Sequence, residues 1–380
     1  MQPFTLLIKP TGSNCNIDCR YCFYKSRSPE VGTGRQRMNE EVLEKLIKDY
    51  LQLDFPVAGF AWQGGEPTLM GLEFYEKVIE VQKKYAGPGQ QITNSLQTNG
   101  ILLNDEWCKF LHENNFLLGI SIDGPKEFHD FYRIDHSGAG TFDKVVKGIE
   151  KCKENKVEFN TLTLLNNKNI EYPDRIFDFL IELGVQFMQF IPCVEIEPEN
   201  QKIADFSISP EQYGRFLCKI FDFWCNYGFK NLSIRDFDSI LSYCISGRHT
   251  ICTYDKRCGQ YIVIEHNGDA FCCDFFVEPK YRLGNILQNS IGQLASCGIK
   301  KEFSRAKQIL SNKCLICKYL DVCRGGCLKN RTVINHGDFG RESYFCEAYK
   351  RFFDYSLPGF IQIAAKIKAE ISNRKEFLIK

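Results

Sequence analysis

Cys15-Asn16-Ile17-Asp18-Cys19-Arg20-Tyr21-Cys22 follows closely on Thr5-Leu6-Leu7-Ile8-Lys9, an apolar run that reads as a strand. Three thiols spaced Cys-x3-Cys-x2-Cys in the loop after a first strand can wrap one face of an iron–sulfur cube. A closed cube takes four protein ligands, so three leave one iron open to a small molecule. Zinc also takes closely spaced cysteines but needs a fourth ligand, and neither Cys nor His occurs between Cys22 and Cys108. The blandest alternative is three thiols that share a loop by chance.

The loop belongs to a chain of 380 residues carrying 19 cysteines. That length buries a sizeable core in two or three domains without disulfide staples. Lys+Arg 48 against Asp+Glu 47 leaves a formal net charge of +1, so the chain lacks the broad basic footprint that nucleic acid or anionic lipid requires. The longest apolar runs, such as Phe116 to Ile122, fall far short of the roughly 20 residues that span a bilayer. Met1 to Lys9 has no signal-peptide pattern. A cytoplasmic protein with neither membrane nor nucleic acid as partner is therefore expected. There, an excess of cysteine points to metal ligation or redox chemistry rather than disulfides.

Outward from the loop, short apolar runs alternate with amphipathic stretches. Asn39 is a good N-cap for a helix in which Val42, Leu43, Leu46, Ile47, Tyr50 and Leu51 share one face. Further strands are expected at Val57–Trp62, Ile92–Gln97, Leu117–Ile122, Glu158–Leu164 and Gln186–Ile191. Helices are expected at Leu72–Lys84, Asp105–Asn114, Phe142–Glu154, Arg175–Leu183 and Glu211–Tyr227. Six strand–helix units in a row favour a parallel sheet with right-handed crossovers. The expected fold is α/β, a partial (β/α)6 barrel of TIM type, with its chemistry at the C-terminal ends of the strands. From about Cys244 apolar periodicity becomes patchy and cysteines recur, as in a small module held by metal. Tyr349–Lys368 reads as a helix interrupted near Pro358. The expected division is 1–230 for the barrel, 231–348 for the cysteine-rich module and 349–380 for a C-terminal helix.

Extended by Phe23 and Tyr24, the opening motif resembles the signature of radical S-adenosylmethionine enzymes. The resemblance implies that Cys15, Cys19 and Cys22 hold a 4Fe–4S cluster whose open iron chelates S-adenosylmethionine, with Tyr21 near its adenine. Gln63-Gly64-Gly65-Glu66-Pro67 ends the second strand. Glycines there let backbone approach a ligand, and a carboxylate can receive an ammonium group. The plainer reading is a turn with Glu66 opening a helix. The segment resembles the superfamily's GGE motif, which implies cofactor contacts at Gly65 and Glu66. Ser121, Arg133 and Val194 stand where the family contacts the cofactor; taken alone they are a strand-end serine, a surface arginine and a core valine.

Cys258, Gly268 and Cys273, then Cys314-x2-Cys317-x5-Cys323-x3-Cys327, then Cys346, resemble the SPASM pattern of peptide-modifying radical S-adenosylmethionine enzymes, and Cys252 supplies an eighth thiol. Eight thiolates suffice for two more four-iron clusters, three clusters in all, or for two zinc sites. By resemblance, Cys252, Cys258, Cys273 and Cys327 hold the first auxiliary cluster and Cys314, Cys317, Cys323 and Cys346 the second. Cys108, Cys152, Cys193, Cys218, Cys225, Cys244, Cys272 and Cys297 are left as small core side chains.

Within the SPASM group the chain is most similar to the anaerobic sulfatase-maturating enzymes. The likeness rests on Leu7-Ile8-Lys9-Pro10, Gln63 to Thr68, Asn94 to Gly100, Ser121 to Lys126, Cys273-Asp274-Phe275 and Arg282 to Asn285. It implies oxidation of the active-site Cys or Ser of a sulfatase, within a Cys/Ser-x-Pro-x-Arg segment, to formylglycine. A 5′-deoxyadenosyl radical takes a hydrogen atom from the target Cβ, an auxiliary cluster accepts an electron, and a carboxylate accepts a proton. By resemblance that carboxylate is Asp274, and the reducing partner is a protein such as flavodoxin or ferredoxin. Tyr24, Gln63, Asn99 and Asp123, at or near strand ends, could contact the peptide or make structural hydrogen bonds. The alternative is a SPASM enzyme that crosslinks a ribosomal peptide. Such enzymes often carry an extra peptide-gripping domain before the barrel, for which Cys15 is expected to leave no room. A zinc-binding interaction module is the non-enzymatic reading.

Overall fold

The computed structural model describes residues 1–24, 34, 36–197, 200–333 and 338–378, so positions 379 and 380 of the expected C-terminal helix lie outside the described residues. Its strands are β1 (Thr5–Lys9), β2 (Val57–Trp62), β3 (Gln91–Thr98), β4 (Phe116–Ser121), β5 (Phe159–Leu165), β6 (Phe187–Pro192), β7 (Ser233–Ile234), β8 (Tyr261–Glu265), β9 (Asp269–Phe271) and β10 (Arg282–Asn285). The helices used below are α1 (Glu40–Leu51), α2 (Leu72–Tyr85), α3 (Asp105–Glu113), α4 (Lys126–Tyr132), α5 (Phe142–Glu154), α6 (Pro173–Glu182), α7 (Pro210–Tyr227) and α8 (Arg235–Ser246). Two compact units result. The first comprises Met1–Ile122, Lys126–Leu162 and Gly259–Ser304; the second comprises Asp123–Pro125, Thr163–Cys258 and Arg305–Lys380.

In the first unit β1, β2, β3 and β4 run parallel in sequence order, followed by the Phe159–Leu162 part of β5. The Asn39 side chain accepts the Val42 N–H at 2.9 Å and caps α1 as expected. Trp62, Tyr75 and Trp107, from β2, α2 and α3, meet edge to face at ring separations of 5.7 and 5.5 Å, a geometry favoured by the ring quadrupoles. The strand series was expected to stop at the sixth strand. Instead β8 lies parallel to β1 on its other side, and β9 and β10 continue the sheet antiparallel. These strands are short and surrounded by cysteines and glycines, so no periodicity announces them. The fold is α/β with a mostly parallel sheet.

In the second unit β6 and β7 pair in parallel. A helix over Cys346–Leu378 contains Pro358 and continues through it, which corrects the expected interruption. Proline inside a helix costs about 3 kcal/mol. Burial offsets that cost: Phe352 and Phe360 pack on Phe237 at ring separations of 5.4 and 5.9 Å, and Phe360 packs on Phe221 of α7 at 4.8 Å. Helices α4 and α8 and strand β7 were also not foreseen. Among the described residues, no helix is long and apolar enough to cross a membrane.

Phe360 is completely buried. Replacing it with Ala should therefore cost about 3–5 kcal/mol, read as a lower denaturant midpoint with an unchanged slope.

Candidate functional site

Strand ends and the cysteine loop converge in the first unit. The Gln63 N–H, just past β2, donates to the Ile8 carbonyl of β1 at 2.8 Å. Gly65 and Glu66 then donate their N–H groups to the carbonyls of Gly12 and Asn14, both at 2.8 Å. A Cβ at Gly65 would lie 2.0 Å from the Asn14 oxygen, so the motif's glycine is what lets the two backbones touch. Gly64 has φ +129°, a conformation that L side chains rarely adopt.

Glu66 is fully buried. Its Oε1 accepts from the Thr68 N–H at 3.0 Å and the Thr98 hydroxyl at 2.7 Å, and its Oε2 from the Asn99 N–H at 2.7 Å. The carboxylate thus caps the 3-10 turn Pro67–Met70 and joins the ends of β2 and β3. Burial pushes its pKa up, while these hydrogen bonds pull it down. Gln63, Gly64 and Gly65 are half-buried, whereas Glu66 and Pro67 are buried.

The cysteine loop is strapped from both sides. Asp18 and Arg20 donate backbone hydrogen bonds to Ile134 at 2.7 Å and Tyr132 at 3.1 Å. The Asn99 amide donates to Asn16 Oδ1 at 2.7 Å and approaches Cys15 Sγ at 3.7 Å. Arg133 donates to the Tyr21 hydroxyl at 3.1 Å, so two residues foreseen as cofactor contacts do meet. Burial, then the Glu66 charge, pushes the Cys15 thiol up to about 12, with Cys19 and Cys22 adding to the rise. Three thiols within electrostatic reach of one another ionise together only beside positive charge, which suits them to a metal cluster. Ser121 is half-buried at the end of β4.

Asp274, in the turn after β9, anchors a second cluster. Gln63 Nε2 donates to its Oδ2 at 3.1 Å, and Lys9 Nζ makes an ion pair with its Oδ1. That ammonium sits 3.5 Å from the centroid of the Tyr24 ring, and the Tyr24 hydroxyl donates to Glu265. Phe23 packs on Phe275 at 5.2 Å. Burial pushes the Glu265 carboxyl up to about 7, and the Lys9 charge opposes it. The sequence reading assigned no role to Lys9 or Glu265, although each ends an apolar strand with a charge. Cys272 is buried and its carbonyl accepts from Lys300 at 3.1 Å, whereas Cys273 is only half-buried.

In the second unit Cys314, Cys317, Cys323 and Cys346 line one cavity. Burial, with the other three thiols adding to it, pushes Cys323 up to about 12. This donor set fits a four-iron cube. Arg331, 1% exposed, is held by the carbonyls of Gly325 at 2.9 Å, Ile309 at 2.8 Å and Arg324 at 2.8 Å, with Cys258, Cys314, Cys323 and Cys327 in electrostatic range. Cys252 and Cys327 also interact electrostatically. Among the described residues, no three His, Cys, Asp or Glu side chains crowd closely enough for a single metal ion. Val194 is buried and its carbonyl accepts from Lys329. Asp123 is fully buried and accepts the Leu164 N–H at 3.2 Å. Of the cysteines left for packing, Cys108 and Cys152 are buried and lie 3.7 Å apart, but Cys225 is exposed, contrary to expectation, because the core-facing stripe of α7 runs through Phe221 and Trp224 instead.

The fold and cysteine loop define a class: residues 10–180 match the family model of the Radical SAM superfamily. A serine-type anaerobic sulfatase-maturating enzyme of Bacteroides thetaiotaomicron is 39% identical, over 94% of this chain and 90% of that protein. A cysteine-type enzyme of Clostridium perfringens is 39% identical, over 97% and 100%. The chain belongs to the anaerobic sulfatase-maturating enzymes. The solved structure of anSMEcpe with bound AdoMet and Cp18Cys peptide has a TM-score of 0.89 at 38% identity, covering 96% of this chain and 100% of that one. Streptococcus suis SuiB, 17% identical with a TM-score of 0.65 over 90% of this chain and 77% of that one, shares the fold.

Glu265 binds its proton more tightly than an ordinary carboxylate near 4.5. The folded protein therefore keeps a proton that the unfolded chain has lost. That contribution to stability is present in acid and disappears as pH climbs through about 7. The melting temperature of the parent should fall from pH 5 to pH 8 more than that of Glu265→Gln, as calorimetry at both pH values would show.

Proposed function

We propose that this chain oxidises the active-site Cys or Ser of a sulfatase, in a Cys/Ser-x-Pro-x-Arg segment, to formylglycine, in the cytoplasm and without oxygen. The observation that carries the reading is Asp274, a carboxylate held by Lys9 and Gln63 at the C-terminal ends of β1 and β2, in the same unit as the three-cysteine loop.

When bound, a 4Fe–4S cluster and S-adenosylmethionine supply the radical chemistry that removes a hydrogen atom from the target Cβ. Cys15, Cys19 and Cys22 would hold that cluster, with Tyr21, Gly65, Glu66, Ser121, Arg133 and Val194 around the cofactor. What remains on the substrate must lose one electron and the proton of its thiol or hydroxyl. Asp274 takes the proton, because each carboxylate oxygen keeps acceptor capacity beyond its Lys9 or Gln63 contact. Gln63, half-buried beside Asp274, would orient the peptide, with Tyr24 and Asn99 behind it near the strand ends. Asp123 is the weakest of the substrate candidates because its carboxylate already serves the Leu164 N–H.

Two further 4Fe–4S clusters would bring the total to three. The shared cavity supports Cys314, Cys317, Cys323 and Cys346 as ligands of one, and a neighbouring buried guanidinium suits an anionic cluster. The set Cys252, Cys258, Cys273 and Cys327 rests on family resemblance. On this reading 1–230 is the radical S-adenosylmethionine domain, 231–348 the SPASM domain and 349–380 the closing helix, and a protein such as flavodoxin or ferredoxin supplies electrons.

Anaerobically reconstituted protein should carry about twelve irons per chain. Incubated with S-adenosylmethionine, a reductant and Cys or Ser peptides of the sulfatase type, it should yield an aldehyde by mass spectrometry. Asp274→Asn should retain its irons and still cleave the cofactor, yet lose most of the aldehyde, about 100-fold or more. A product that loses two hydrogens and keeps its sulfur would mean crosslinking instead.

A further inference from the structure

Lys9 and Glu265 are Cα partners on the last rung of the parallel β1–β8 ladder, and each is 1% exposed. Two ionisable side chains sealed side by side at a strand end cost several kcal/mol of desolvation unless each finds a partner. Both do, and both partners belong to the Asp274 cluster. The Lys9 ammonium pairs with Asp274 Oδ1 and rests on the face of the Tyr24 ring at 3.5 Å. The Tyr24 hydroxyl, at the far edge of that ring, donates to Glu265 Oε1.

Asp274 itself lies in a turn beyond β9 and not on a strand. A carboxylate that must meet a substrate thiol or hydroxyl within hydrogen-bond reach needs better placement than a loop provides. Its tethers run to the rigid sheet, through Lys9 at the end of β1 and Gln63 just past β2. Lysine is a flexible tether, with a four-carbon stem and several rotamers. Cation–π contact pins its head only while the ring stays put, and Glu265 holds that ring. The turn after β8 holds Glu265 in place, because its carbonyl accepts the Gly268 N–H at 2.9 Å.

We infer that Lys9 and Glu265 are positioning residues for the proton acceptor: Lys9 aims the Asp274 carboxylate and balances its charge, and Glu265 locks Tyr24 as the floor under the Lys9 ammonium. The inference rests on the reading of Asp274 given above. Neither residue donates or accepts a proton in the net reaction; both act through Asp274. Hydrogen-atom abstraction precedes the proton's departure, so their loss should leave abstraction intact and slow the transfer of the proton to Asp274.

The test uses the reconstituted holoenzyme and a peptide deuterated at the target Cβ. Deuterium in 5′-deoxyadenosine reports abstraction, and aldehyde formed per 5′-deoxyadenosine reports the later step. Lys9→Met should still transfer deuterium while its aldehyde ratio falls about tenfold or more, and Glu265→Ala should lower the ratio about threefold. Glu265→Gln, which can still accept the Tyr24 hydrogen bond, should recover most of that loss. The double variant Lys9→Met/Asp274→Asn should show a ratio no lower than Asp274→Asn alone. It should also melt at a higher temperature than Lys9→Met, which leaves an unbalanced carboxylate in the cluster. A parental ratio in Lys9→Met beside a low one in Asp274→Asn would overturn this inference alone. So would a double variant whose two losses multiply. A parental ratio in Asp274→Asn would overturn the acceptor assignment and this inference with it.

Discussion

The buried carboxylate of Glu66 sets the geometry on which the cysteine loop depends. Removed from water, a carboxylate is tolerated only when its lone pairs are met by donors. Here those donors come from Thr68, Thr98 and Asn99, which ties the end of β3 to the turn after β2. That turn in turn receives the cysteine loop through Gly12 and Asn14. The side chain of Asn99 completes the circuit at Asn16, beside Cys15. Moving Glu66 would move two strand ends and the loop together, so three thiols on a short irregular segment inherit the rigidity of a parallel sheet.

A second constraint is electrostatic. Lys9, Asp274 and Glu265 place one cation and two carboxyl groups in a nearly closed space. Burial raises the Glu265 carboxyl to about 7, which weakens its competition with Asp274 for Lys9. A core of apolar side chains would be more stable there, but it would offer no acceptor for a substrate proton. Arg331 faces the corresponding problem in the second unit: its guanidinium is sealed from water and satisfied by backbone carbonyls, beside thiols that need positive charge to ionise.

Much of this was legible in the chain itself. Alternating strands and amphipathic helices foretold the parallel sheet to within a residue or two at most boundaries, because periodicity reports which face is buried. Spacing drew attention to the first three cysteines and family resemblance grouped the later ones, of which Cys314, Cys317, Cys323 and Cys346 do line one cavity. Less was legible where several weak signals had to combine. Strands β8 to β10 are too short for a periodic pattern, and the helix through Pro358 persists because Phe352 and Phe360 pack on Phe237. Cys225 looked like a packing residue and faces solvent, since composition cannot say which face of α7 a residue occupies.

What the sequence determined by itself is the chemistry available: closely spaced thiols, a glycine pair after a strand, and an aspartate beside a cysteine. Those are local facts, carried by residue type and spacing. Tertiary structure alone decided which charges share a pocket. Lys9 and Glu265 are neighbours only because β8 joins the sheet on the far side of β1 in a register that pairs them. Asp274 reaches Lys9 and Gln63 only because the chain returns there after β9. A strand's register and its choice of partner depend on the whole sheet, and no local stretch of sequence contains them.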